Sequence, residues 1–126
     1  MPDPFARYAL VADDDPLIRM DAQAILIEAG FRVYAAAGYE DAMEILTSWG
    51  HGIHLLFTDV QMPPGTRNGY DLARRCAGDW PEIGILVASG AQPPGPEDLQ
   101  KGALFIGKPF TADTVKEGLH QLFPDC

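Results

Sequence analysis

Leu55-Leu56-Phe57-Thr58-Asp59, followed by Val60-Gln61-Met62-Pro63-Pro64-Gly65, is the stretch whose reading decides the fold. A short apolar, β-favouring run that ends on a carboxylate predicts a strand buried on both faces. The Pro/Gly cluster behind it predicts a loop. Asp59 is then placed where a buried strand surfaces, and in an open parallel sheet that carboxyl end is where ligands bind. An Asp after a strand also starts turns and caps helices, so its meaning rests on what else reaches the same end.

Working outward, Tyr8-Ala9-Leu10-Val11-Ala12 is a second apolar run, and it stops at Asp13-Asp14-Asp15. Pro16 suits the first turn of a helix with Asp15 as N-cap. Ile18, Ala22, Ile25 and Ala29 follow at helical spacing up to Gly30. Phe31-Arg32-Val33-Tyr34-Ala35 alternates and reads as an edge strand. Ala42, Ile45, Leu46 and Trp49 mark an amphipathic helix closed by Gly50.

On the other side of Asp59, residues 71–79 carry Leu72, Ala73 and Cys76 on one helical face, and Pro81 stops that helix. Ile83-Gly84-Ile85-Leu86-Val87-Ala88 is a fourth strand ending at Ser89-Gly90. Pro93, Pro94 and Pro96 confine the next helical segment to residues 97–101, little more than a turn. Ala103-Leu104-Phe105-Ile106-Gly107 is a fifth strand ending at Lys108-Pro109. Thr111 caps a last helix with Val115, Leu119 and Leu122 inward. Strict β/α alternation predicts right-handed crossovers and a parallel sheet covered on both sides, an α/β doubly wound fold. No linker interrupts residues 1–126, which read as one domain without an output domain.

The net charge of −9 argues against nucleic acid or an anionic membrane as partner, because both would repel the chain. The start Met1-Pro2-Asp3-Pro4 lacks the basic and apolar segments of a signal peptide, and no window reaches the ~18 apolar residues of a membrane span. Cys76 and Cys126 are too few for a disulfide framework or a zinc site and read as reduced thiols. The expected compartment is the cytoplasm.

Because parallel strands point their carboxyl ends to one side, Asp13, Asp14, Asp59, Ser89 and Lys108 gather on one rim. Three neighbouring carboxylates repel one another, and a hard divalent cation with oxygen-only ligands, Mg²⁺, offsets that repulsion. A metal on one flank and the Lys108 ammonium on the other suit a phosphoryl group. Asp59 is the expected nucleophile, and Ser89 offers a hydroxyl to a phosphoryl oxygen.

The ordered set Val11-Ala12-Asp13-Asp14, Asp59, Ser89-Gly90, Phe105 and Lys108-Pro109-Phe110 resembles the receiver domain of two-component response regulators. The run Asp15-Pro16-Leu17-Ile18-Arg19-Met20 looks like the stand-alone type. The resemblance implies a five-stranded, flavodoxin-like sheet of order 2-1-3-4-5. It implies Asp59 as phosphoacceptor, Asp13, Asp14, Asp59 and the Gln61 backbone carbonyl as Mg²⁺ ligands, and Ser89, Gly90, Phe105 and Lys108 as phosphate-binding and switch positions. A sensor histidine kinase is the implied donor, with a protein contact downstream or a role as phosphoryl shuttle or sink. Three departures stand out: a longer loop between Pro63 and Gly69 that carries Arg67, Phe105 in place of a frequent tyrosine, and the eroded fourth helix. The last of these disfavours the usual dimer and leaves a monomer or weak homodimer as the expectation.

The alternative is a Mg²⁺-dependent phosphatase acting through a phosphoaspartate. Phosphatases of the haloacid dehalogenase type carry a second Asp two residues after the nucleophile as general acid, where this chain has Gln61. A flavin carrier of the same sheet order would need a Gly-rich phosphate loop after the first strand, which is absent. His51, His54 and His120 share no ligand spacing. Trp49 and Trp80, at helix ends that feed into strands, are expected on the rim opposite Asp59 as packing residues.

Overall fold

The computed structural model describes residues 7–60, 68–90 and 103–123. In chain order it contains β1 (Arg7–Ala12), α1 (Pro16–Glu28), β2 (Phe31–Ala36), α2 (Tyr39–Trp49), a 3₁₀ turn (Gly50–Gly52), β3 (Ile53–Asp59), α3 (Gly69–Asp79), β4 (Gly84–Ser89), β5 (Leu104–Gly107) and α4 (Ala112–Leu122). The strands form one parallel sheet of order β2-β1-β3-β4-β5. The expected topology is thus observed, with β2 on an edge. The expectations for Gln61, Arg67, Pro93 to Pro96, the short helix over 97–101 and Cys126 lie outside the described residues.

The apolar runs are apolar on both sides because both faces of the sheet are covered. In β3, Leu55, Leu56, Phe57 and Thr58 are buried. Leu56 packs toward the α2 and α3 side with Leu46, Leu72 and Cys76. Leu55 and Phe57 pack toward α1 and α4 with Leu26, Val115 and Leu119. Burial pushes the Cys76 thiol up to about 12, with the nearby Asp79 charge adding to it, which suits an inert packing residue.

The helix boundaries follow their caps. Asp15 caps α1 by accepting from the backbone N–H of Leu17 and Ile18, with Pro16 at the first helical position. Gly30 closes that helix at φ 102, a left-handed geometry that favours glycine. Thr111 caps α4 through the Thr114 N–H.

The inner faces of two helices differ from the sequence expectation. In α1 it is Ala22 and Leu26 that are buried, while Ile18 and Ile25 are partly covered and Ala29 is exposed. The helix packs against the edge strand β2 and its neighbour β1, so its buried stripe is narrow. Trp49 in α2 is 44% exposed and stacks on Tyr34, which in turn stacks on Tyr8. It shields the outer strands instead of filling the core. His54 has a structural place, its Nδ1 accepting the Tyr8 N–H at 3.2 Å where the β1–β3 register slips.

Candidate functional site

The parallel sheet delivers the last residues of its strands to one pole. Asp13 and Asp14 follow β1, Asp59 ends β3, Ser89 ends β4 and Lys108 follows β5. One carboxylate oxygen from each of Asp13, Asp14 and Asp59 lies within 4.8 Å of the other two. Lys108 Nζ bridges two of them, at 2.9 Å from Asp13 Oδ2 and 3.1 Å from Asp59 Oδ1. Asp13 and Asp59 are buried, whereas Asp14 faces solvent.

Backbone groups and one arginine fix the acids. Asp13 donates its N–H to Ala36 O at 3.1 Å, and its Oδ1 accepts the Asp15 N–H at 2.9 Å. Its carbonyl accepts from Arg19 Nη1 at 2.8 Å. Asp59 Oδ1 accepts the Val60 N–H at 2.7 Å, and its carbonyl accepts from Thr58 Oγ1 at 2.8 Å. The Val60 N–H and Lys108 Nζ both fall on Oδ1. That oxygen is thus anchored from two sides.

Ser89 is buried, one step beyond Ala88, which is in register with Asp59. Its carbonyl accepts the Lys108 N–H at 3.0 Å and ties the end of β4 to the lysine. Gly90 follows on the exposed side, and a Cβ there would stand at an ordinary 3.9 Å from Lys108 Cβ. Sterics therefore do not require glycine at that position. Phe105 is partly buried in register with Val87 and packs on the core facing α2 and α3.

Charge dominates the chemistry. Burial raises the Asp59 pKa above the ordinary carboxylate value, opposed by the Lys108 charge and reinforced by Asp13. For Lys108, burial pulls downward, but the hydrogen bond to Asp13 and the charge of Asp59 outweigh it, and its pKa is raised. Among the described residues, the three carboxylates are paired directly by one ammonium, Lys108, and Arg19 reaches only the Asp13 carbonyl. The donors are all hard oxygens, and exposed Asp14 leaves room for water. That donor set fits a divalent cation of the Mg²⁺ type, which retains part of its hydration.

Several supporting residues escaped the sequence reading. A Cβ on Gly69 would lie 1.8 Å from the Asp59 carbonyl oxygen, and the Gly69 N–H donates to Val60 O at 2.7 Å. The start of α3 therefore presses directly on the backbone of Asp59. Asn68 and Asp71 form a reciprocal capping box that holds that start. The Asn68-Gly69-Tyr70-Asp71 spacing was a legible sign of it. The Arg19 contact, six residues from its acceptor, had no such sign.

The model of the family described as "Response regulator receiver domain" matches residues 9–120. The chain belongs to the response regulator receiver family. It is 31% identical over 121 residues to the sensor kinase CckA of Brucella abortus, covering 89% of this chain and 12% of that protein. It is 34% identical over 84 residues to the transcriptional regulatory protein AruR of Pseudomonas aeruginosa, covering 64% of this chain and 33% of that protein. This receiver domain thus spans only a fraction of the length of these curated relatives. Among solved structures, a response regulator receiver protein from Sinorhizobium medicae superposes with a TM-score of 0.83 at 26% identity, covering 98% of both chains. Receiver domains are signalling modules that take phosphoryl groups from histidine kinases and bind Mg²⁺ in an acidic pocket. Among the described residues, no helix is long and apolar enough to cross a membrane.

Proposed function

We propose that this receiver takes a phosphoryl group onto Asp59 from the phosphohistidine of a sensor histidine kinase. The observation that carries the reading is Lys108 bridging Asp13 and Asp59 beside exposed Asp14, with Asp59 Oδ1 anchored by the Val60 N–H. Asp59 Oδ2 attacks phosphorus, the P–N bond breaks, and its electron pair returns to the imidazole of the donor. Asp13, Asp14 and Asp59 would hold Mg²⁺, which would supply positive charge to offset that on the phosphoryl oxygens.

The chain's own groups do the rest. Val60 N–H keeps Oδ1 anchored and so aims Oδ2 outward. Lys108 is released from part of its pairing with the acids and holds a phosphoryl oxygen, while the Ser89 hydroxyl holds another. Movement of Ser89 and Phe105 toward the new charge alters the face around β5 and changes affinity for a downstream protein, or the domain relays or drains phosphoryl groups.

Incubation with acetyl phosphate and Mg²⁺, read by intact mass and peptide mapping, tests the assignment. One base-labile phosphoryl group, lost in Asp59→Asn, is the expected result. Multiple turnover of small phosphate esters would overturn it in favour of a phosphatase.

A further inference from the structure

Arg19 occupies a position that helix energetics do not explain. It is the fourth residue of α1, whose first turn holds no acidic side chain. In contrast, α2 places Glu40 and Asp41 in its first turn, α3 places Asp71 and α4 places Asp113. Acids there complement the positive end of the helix dipole, and a cation opposes it. Arg19 turns back over that helix start, and its Nη1 reaches the Asp13 carbonyl at 2.8 Å.

That carbonyl belongs to the peptide linking Asp13 to Asp14. The Asp13 side chain is already held by the Asp15 N–H and by Lys108. Asp14 is exposed, and no hydrogen bond from the described residues holds its carboxylate. Its direction therefore depends on the peptide before it. We propose that Arg19 is a positioning residue for the acidic pocket: by fixing the Asp13–Asp14 peptide from α1, it keeps the Asp14 carboxylate aimed at the place a divalent cation takes. The inference rests on the receiver reading of the same site.

The sign of the effect separates positioning from plain charge. Arg19 is cationic and close to the site, so by Coulomb's law alone its removal would tighten binding of a dication. If it orients a ligand, removal weakens binding, as loss of groups that hold ligands in place does, by roughly tenfold or more. Calorimetric titration of MgCl₂ into the wild type, Arg19→Met and Arg19→Gln measures this without any phosphoryl transfer. Arg19→Gln, which keeps an N–H donor without the charge, is expected to fall between the other two. Amide hydrogen exchange in metal-free protein is expected to quicken at Asp14 and Asp15 in Arg19→Met while the core of β3 keeps its protection.

Affinity for Mg²⁺ that is unchanged or higher in both folded variants overturns the proposal, as does unchanged exchange at Asp14. Should Arg19→Met not fold, Arg19→Gln carries the same comparison. Failure of the wild type itself to bind Mg²⁺ would instead sink the receiver reading on which this rests.

Discussion

Asp59 stands out at the residue scale because it is buried, ionisable and only partly neutralised. Burial raises its pKa, so the folded state holds its proton more tightly than the unfolded chain, whose carboxylate titrates near 3.8. Stability from this group is accordingly lost as pH rises from that value through its folded pKa. Asp59→Asn removes the unfavourable ionisation and leaves Lys108 its bond to Asp13. The variant is expected to be more stable than wild type at neutral pH without metal, by on the order of 1 kcal/mol, with the gap closing toward pH 3.8. Thermal melts across that range check this, and an equal or lower midpoint at neutral pH would refute it. Lys108 works in the opposite sense. Its raised pKa contributes stability that is complete below 10.5 and lost at higher pH.

At the element scale, α3 is tied to the site by its first turn. Asn68 supplies the cap and Gly69 the close approach to the Asp59 carbonyl, so the two neighbours are expected to fail differently. Asn68→Ala loses the capping bonds at a cost of about 1 kcal/mol, and phosphoryl uptake by the folded fraction stays close to wild type. Gly69→Ala puts a methyl group into backbone that cannot yield without moving Asp59. It costs about 1–3 kcal/mol and slows uptake from acetyl phosphate as well. Parallel denaturant titrations and uptake rates distinguish the pair, and equal uptake in both variants would show that Gly69 does not set the acceptor. Elements were the most legible level in the sequence. The runs ending at Ala12, Asp59 and Ala88 read as buried strands because apolar residues on both faces leave no other reading. Helix faces were less legible: 3.6-residue spacing in α1 pointed to Ile18, Ala22, Ile25 and Ala29, and packing against the sheet buried Ala22 and Leu26.

Across the whole molecule, the sheet separates two poles. The acids and Lys108 occupy one, while Trp49 and Trp80 lie at the C-terminal ends of α2 and α3 on the other, as the sequence implied. Cation binding to the folded acidic cluster alone raises global stability by mass action, about 2.7 kcal/mol at a hundredfold excess over Kd. A rise in the melting midpoint with MgCl₂ is expected in wild type and is expected to be largely lost in Asp14→Asn. Intrinsic tryptophan fluorescence is expected to change little in the same titration, and a strong quench would contradict this separation of poles.

The order of short apolar runs and acid-terminated strands was enough to determine a parallel α/β sheet and to nominate Asp13, Asp14, Asp59 and Lys108, because alternation and strand direction are local properties of the chain. The tertiary structure decided what depends on distance between remote segments: Lys108 on two carboxylates at once, Gly69 against the Asp59 carbonyl, and Arg19 bent back to the Asp13 peptide. Hydrogen bonds and close packing act over a few ångströms, and no spacing along the chain states which side chains will come that near.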